Sequence, residues 1–342
     1  MECIDGKVQR RSPLKVTRMN APEPSPMRST RIAIIGTGNV GATYAYALLL
    51  NGVASDIVLI DSNRAKAEGE AMDLNHAVSF AYPTRIWAGD YPDCADAAII
   101  VIAAGVSQRP GETRLDTITR NGEIWKEMIP KIVRYCSSGI LLVATNPVDV
   151  LTYAAWKLSG LPSARVIGSG TILDTSRFRY LLSEHFGVDA RSVHAYIVGE
   201  HGDSEVPVWS LANIAGMRLD DFCRTQHVSL EAAKREDIYC QTRDAAYRII
   251  ERKGATYYAV AAGLMQITRA ILRNQNTVLS VSSLISGYYG LDDVCLSLPT
   301  VINRNGVERV LQLELSDQEV EKLRHSADVL KATIAKLSLT EH

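Results

Sequence analysis

The string Gly199-Glu200-His201-Gly202-Asp203 places a histidine between glycines, one its next neighbour and the other at one remove. Glycine lets another group approach the backbone closely. An imidazole that titrates near neutrality can give a proton to a carbonyl oxygen and take one from an alcohol. Such a histidine needs a carboxylate to hold one ring nitrogen while the other faces substrate, and Asp174, Asp203 and Glu200 are candidates. Asp174 and Arg177 stand three apart at the start of a predicted helix, so they share a face. Arg177 there could be part of an ion pair, or could offer its planar fork to a substrate carboxylate, a geometry that lysine does not match. Arg179 points to a different face. A further loop, Ser107-Gln108-Arg109-Pro110-Gly111-Glu112-Thr113-Arg114, holds two arginines, and either Arg109 or Arg114 could polarise a carbonyl. Its Pro-Gly pair suits a lid that moves and excludes water. Together these groups describe a site for moving a hydride between a carbonyl and an alcohol.

Hydride chemistry needs a carrier, and the chain holds a place for one. Gly36-Thr37-Gly38-Asn39-Val40-Gly41 follows a short apolar strand and opens a helix. The first glycine permits a tight turn, the second lets backbone approach a pyrophosphate, and the third lets helix pack on strand, with the phosphates at the helix N-terminus. Alone the motif is weak. Asp61 strengthens it, because it ends the next strand, twenty residues past Gly41, where a carboxylate accepts from ribose hydroxyls and repels a 2′-phosphate. NAD is therefore the expected cofactor, and NADP is disfavoured.

The elements that position these residues follow from apolar patterning. Arg31 to Ile35, Asp56 to Ile60, Ala98 to Ala103 and Ile140 to Ala144 read as strands; Val40 to Asn51 and Ile118 to Tyr135 read as helices. Strands separated by helices imply parallel pairing through right-handed crossovers, so residues 31–168 are expected to form a doubly wound Rossmann domain. Past Gly170 the pattern becomes mixed. A helix from Asp174 to Phe186, strands around Val193 to Val198 and Asn276 to Ser286, and a hairpin-like pair near Val301 and Val310 predict a mixed α+β substrate domain over residues 169–335. A capping box, Ser316-x-x-Glu319, opens the last helix, whose apolar face carries Val320, Leu323, Ala327, Leu330, Ile334 and Leu337. Residues 1–30 are rich in Arg, Lys, Pro and Ser without apolar periodicity, and are expected to be a disordered arm.

Bulk properties narrow the partners. With 46% hydrophobic residues, 22% charged residues and a net charge of −1, the chain has the balance of a globular protein and no field to draw nucleic acid or an anionic membrane. The apolar run from Ala97 to Val106 is too short to span a bilayer. Six scattered cysteines, without a Cys-x-x-Cys pair or a His at zinc spacing, suit the reducing cytoplasm and predict no metal.

Over about residues 31–335 these strings, with Asn146-Pro147 and Leu173-Asp174-Thr175-Ser176-Arg177, closely resemble the lactate/malate dehydrogenase family, its L-lactate branch in particular. The resemblance implies that Arg114, in Gly-Glu-Thr-Arg, polarises the carbonyl. It makes His201 the proton donor and acceptor, Asp174 its partner and Arg177 the carboxylate clamp. Asn146 should contact the substrate oxygen and border the cofactor, and Thr256 should help line the pocket. Gln108 falls on the specificity position, where malate-using relatives carry an arginine; a neutral side chain there favours pyruvate and L-lactate over oxaloacetate and malate. A malate dehydrogenase, or one acting on another 2-hydroxy acid, is the alternative. The resemblance also implies a homotetramer, and matches Arg179 and His194 to positions that bind fructose 1,6-bisphosphate between subunits in bacterial members.

Overall fold

Strands that are apolar at every position must be covered on both faces, and that requirement organises the molecule. The computed structural model describes residues 30–106 and 114–337, with the side chains of 114–117 outside the description. In chain order the first half runs β1 (Arg31–Ile35), α1 (Asn39–Asn51), β2 (Asp56–Ile60), α2 (Arg64–Ala77), β3 (Arg85–Ala88), β4 (Ile99–Ile102), α3 (Arg114–Tyr135), β5 (Ile140–Val143), α4 (Val148–Ser159) and β6 (Val166–Gly168). These six strands are parallel, in the order β3-β2-β1-β4-β5-β6. The order reverses between β1 and β4, so a crevice opens at their carboxyl ends, where such sheets bind ligands.

Strand periodicity divides the core. Ile32, Ile34, Ile57, Leu59, Ile99 and Val101 point to one face, against Tyr44 and Leu48 of α1. Ala33, Ile35, Val58, Ile60, Ile100 and Ile102 point to the other, against Trp125, Ile129 and Ile132 of α3.

The second half continues with α5 (Ile172–Phe186), β7 (Val193–His194), β8 (Ile197–Val198), β9 (Val206–Pro207), β10 (Asn213–Ile214), β11 (Met217–Arg218), α6 (Leu219–Gln226), α7 (Ala232–Arg243), α8 (Ala245–Lys253) and α9 (Tyr258–Leu272). It ends with β12 (Thr277–Tyr288), β13 (Leu291–Asn303), β14 (Gly306–Val310) and α10 (Asp317–Ile334). The expected hairpin exists, with Thr300 opposite Val310. Its sheet is not separate. β12 pairs antiparallel with β6 through Ser282 and Gly168, so β12, β13 and β14 extend the parallel sheet to nine strands. The stretch from Val193 to Val198 splits instead into β7 and β8, which join two small sheets.

Several elements escape a reading of periodicity. α2 (Arg64–Ala77) buries only Ala67, Ala71 and Leu74, too narrow a stripe to stand out, and β3 is only four residues long. α5 starts at Ile172, two residues ahead of the expected Asp174. α10 opens as expected: Ser316 Oγ accepts from the Glu319 N–H while the Glu319 carboxylate accepts from the Ser316 N–H. Among the described residues no helix is long and apolar enough to cross a membrane.

One buried polar contact ties the two halves together. The Tyr44 hydroxyl of α1 lies 2.5 Å from Thr268 Oγ1 of α9, and both side chains are fully buried. Removing one partner strands the other, at a cost of about 1–3 kcal/mol. Tyr44→Phe and Thr268→Val should each lower the urea midpoint, while the double variant loses little more than the worse single one, because each removes the same bond. Additive losses would show that the pair does not act as a unit.

Candidate active site

α5 and the loop after β8 carry the acid/base groups, and buried hydroxyls fix one to the other. The Thr171 hydroxyl donates to the Ile197 carbonyl at 2.6 Å, and the Ile197 N–H donates to Thr175 Oγ1 at 3.0 Å. Beyond β8 the chain leaves regular pairing, and three successive N–H groups are each held by a different element. Gly199 N–H donates to the Ser297 carbonyl of β13 at 2.8 Å, Glu200 N–H to Ser326 Oγ of α10 at 2.7 Å, and His201 N–H to Asp149 Oδ2 of α4 at 2.7 Å. Gly199 has φ +88°, and a Cβ there would come 2.7 Å from Ser326 Oγ. Glycine is required by this path.

The loop brings His201 Nδ1 within 2.5 Å of Asp174 Oδ2, while Arg177 donates to Asp174 Oδ1 at 2.8 Å. Of the three candidate orienting carboxylates, Asp174 holds the ring; Glu200 accepts from the Ser204 hydroxyl at 2.5 Å and Asp203 from the Tyr247 hydroxyl at 3.1 Å. The Asp174–Arg177 ion pair is no surface feature, with the two side chains 3% and 13% exposed. Burial works against an ionised Asp174, but His201 and Arg177 outweigh it and hold the carboxyl below its ordinary range. Burial likewise opposes a charged His201, yet the carboxylates of Asp174 and Asp149 prevail and push the imidazole up to about 9. The ring therefore carries its proton at neutral pH.

Asp174, Arg177 and His201 line a cavity of about 270 Å³, closed by Asn146, Glu205 and the α8 residues Ala246, Tyr247 and Ile250. Thr256, expected in this wall, is partly buried between α8 and α9 and is not among the residues that line this cavity. Gln108 and Arg109 lie outside the described residues, as does the side chain of Arg114, whose backbone opens α3. Arg179 donates from Nε to the Ala195 carbonyl at 2.9 Å and stacks on Tyr196, beside the exposed His194.

A second cleft, of about 540 Å³, lies at the carboxyl ends of β1, β2 and β4 and is lined by Gly36, Gly38, Asp61, Ala104 and Gly105. Its floor tolerates only glycine at two points. Gly36 has φ +98°, and a Cβ on it would sit 2.5 Å from the Ala104 nitrogen; a Cβ on Gly41 would lie 1.9 Å from the Gly36 carbonyl oxygen. Gly38 faces open space, as a backbone approached by phosphate should. Asn39, exposed, and Val40 begin α1 there. Asp61 Oδ2 accepts from the Thr37 N–H at 2.7 Å and hydroxyl at 2.9 Å, and Oδ1 accepts from the Asn63 N–H at 2.9 Å. Burial opposes its ionisation, but these donors outweigh it and keep the carboxyl low, so Asp61 is an anion. Oδ1 retains capacity for a ribose hydroxyl. The residues fit a dinucleotide. The two spaces adjoin through Thr145, which donates to the Ala104 carbonyl at 2.8 Å, and its neighbour Asn146.

Two buried carboxyls of the site have no part in the sequence reading. Asp149, 1% exposed, interrupts an apolar helix, and Glu205, 4% exposed, precedes an apolar strand. Burial pushes Asp149 up to about 6; for Glu205, burial and then the neighbouring Asp174 push it up to about 9. A lone acid in an apolar run is the signal that could have found them, since buried charges need partners.

Comparison with known proteins agrees with this geometry. Residues 30–168 match the model of the lactate/malate dehydrogenase NAD-binding domain, and residues 171–340 that of the family's α/β C-terminal domain. The chain is 54% identical over 309 residues to an L-lactate dehydrogenase of Acetivibrio thermocellus, covering 90% of this chain and 98% of that one. It is also 54% identical over 306 residues to one from Priestia megaterium, covering 90% of this chain and 96% of the relative. Among solved structures, the minor L-lactate dehydrogenase of Enterococcus mundtii in a ligand-bound form superposes with a TM-score of 0.89 at 41% identity, covering 92% of this chain and all of that one.

The anionic Asp61 generates a prediction. Asp61→Ser removes the charge that repels a 2′-phosphate, so kcat/KM should fall with NADH and rise with NADPH relative to the parent enzyme. Unchanged selectivity would reduce Asp61 to a turn residue that only holds Thr37 and Asn63.

Proposed function

The chain belongs to the lactate/malate dehydrogenase family, and we propose that within it the protein is an NAD-dependent L-lactate dehydrogenase, turning pyruvate, NADH and a proton into L-lactate and NAD. The observation that carries this reading is the Asp174 carboxylate, shared between His201 at 2.5 Å and Arg177 at 2.8 Å in a cavity that adjoins the dinucleotide cleft.

In this reading the glycine turn from Gly36 to Gly41, Asp61 and Asn146 hold the cofactor, with Asn39 and Val40 at the helix end that meets the pyrophosphate. NAD, when bound, supplies or accepts the hydride. Arg177 takes the substrate carboxylate, because its guanidinium lines the cavity while one nitrogen is fixed by Asp174. With Nδ1 on Asp174, His201 turns Nε2 to the substrate oxygen and gives it a proton during reduction. Its charged form persists to about 9, so the donor is loaded at neutral pH. Arg114 polarises the carbonyl and Gln108, neutral, faces the substrate methyl group. The free cysteines among the described residues, Cys94, Cys136, Cys223, Cys240 and Cys295, support a cytoplasmic home.

The proposal extends to a homotetramer with a fructose 1,6-bisphosphate site at Arg179 and His194. Adjacency of the Arg179 guanidinium to the backbone beside His194 supports the effector site, and the exposed Tyr46 and Leu50, one turn apart on α1, support self-association. Added sugar bisphosphate should lower the apparent KM for pyruvate and stabilise a tetramer in sedimentation. No change in either would remove the effector from the proposal.

Initial rates with pyruvate, oxaloacetate and a branched 2-oxo acid test substrate choice. The highest kcat/KM is expected with pyruvate, and a preference for oxaloacetate would favour the malate reading. Reduction uses protonated His201, so its rate should hold at neutral pH and fall as pH rises through about 9; lactate oxidation uses the neutral ring and should rise over the same range. His201→Asn should still quench its fluorescence on binding NADH while losing roughly 10²–10⁴-fold in turnover. Near-normal turnover would take His201 out of the mechanism.

A further inference from the structure

We propose that Asp149 is a second positioning carboxylate for His201, holding the loop backbone from the first turn of α4 and placing a negative charge behind the imidazole. The inference rests on the reading of His201 as proton donor.

Three consecutive N–H groups of the loop are pinned, and the acceptors differ in kind. Those at Gly199 and Glu200 are a backbone carbonyl and a serine hydroxyl; only the one at His201 is a carboxylate, at 2.7 Å. A neutral acceptor would meet the geometric need equally well. A carboxylate that is 1% exposed is costly to bury. The return on that cost is electrostatic. Negative charge behind a ring in a poorly solvated site stabilises the imidazolium, and the Asp149 carboxylate acts on His201 in the same direction as Asp174.

The groups around Asp149 allow it that role. Ser282 faces it from β12, Cys295 from β13, and Glu200 and His201 from the loop. Burial is the main force on Asp149, raising it to about 6, while the Ser282 hydroxyl first, and then the His201 N–H and imidazole, favour its carboxylate form and keep it below neutrality. Around His201 stand Asp174 and Arg177 of α5, Asp149 of α4 and, ahead of β9, the carboxyl of Glu205, which burial first and then Asp174 push up to about 9, with Arg243 of α7 lining the same cavity. Arg177 opposes the proton; the two carboxylates favour it. α4 also starts two residues past Asn146, so one helix start places both the cavity asparagine and the charge behind the histidine.

The test separates charge from shape. Asp149→Asn keeps an acceptor for the His201 N–H and removes the charge; Asp149→Ser does the same with a smaller side chain should the first fold poorly; Asp149→Ala removes both. Diethyl pyrocarbonate reacts with neutral imidazole, so its rate of modifying His201 against pH, followed by peptide mass, reports the titration without turnover. In Asp149→Asn the midpoint should move down by about one pH unit, and the alkaline limb of pyruvate reduction should move with it. Asp149→Ala should show the same movement and a further loss of kcat of roughly tenfold, with KM for pyruvate changed less, because the proton donor and not the carboxylate clamp is displaced. An unmoved His201 midpoint in the two neutral-acceptor variants would overturn the proposal, even if thermal stability fell. Retained turnover in His201→Asn would instead overturn the reading beneath it, leaving the titration result standing.

Discussion

A buried carboxylate must be paired, and the pairing of Asp174 is the constraint on which the site depends. At 3% exposure its side chain would be untenable as an isolated anion, and the two cations that relieve it each take one of its oxygens. Arg177 arrives from the same face of α5, one turn on. His201 arrives from a loop across the molecule, and three other elements have to hold that loop in place. Thr171 and Thr175 lock α5 to β8, so the proposed proton donor and the proposed clamp for the carboxylate are tied to each other. Removing any member would strand charge in a poorly solvated pocket. Function and stability are tied together here in the same atoms.

The cofactor side obeys a different constraint, that of close approach. The turn after β1 passes so near the segment after β4 that Gly36 admits no side chain, and α1 packs so near that turn that Gly41 admits none. Asp61 then closes the turn by accepting from Thr37, and in doing so it presents a fixed anion to the cleft. Because β12 pairs with β6, the sheet that carries this turn also carries the strands beneath the His201 loop. The relative placement of cleft and cavity follows from one continuous sheet rather than from docking two.

The local motifs were the legible part of the sequence. The glycine turn, Asp61, the Ser316 capping box and the β13–β14 hairpin all express short-range rules, and each appears where those rules place it; the pairing of His201 with Asp174 came from the family resemblance, the residues alone leaving three carboxylates open. What was not legible depends on long-range pairing. Nothing within Thr277 to Val310 says that its strands add to the edge of β6, and nothing near Asp149 says that its carboxylate will meet a backbone N–H fifty-two residues on. α2 was hidden for a simpler reason: three apolar residues suffice to seat a helix against the sheet, too few to mark a periodic stripe.

The central claim is that Asp174 keeps His201 loaded with its proton and fixed in orientation. The pH profile of pyruvate reduction by Asp174→Asn tests it most directly, because asparagine keeps the shape and removes the charge. The account predicts that the alkaline limb moves from about 9 to well below it and that kcat/KM at neutral pH falls by roughly 10²-fold or more. An alkaline limb that stays in place, with turnover near that of the parent enzyme, would contradict it.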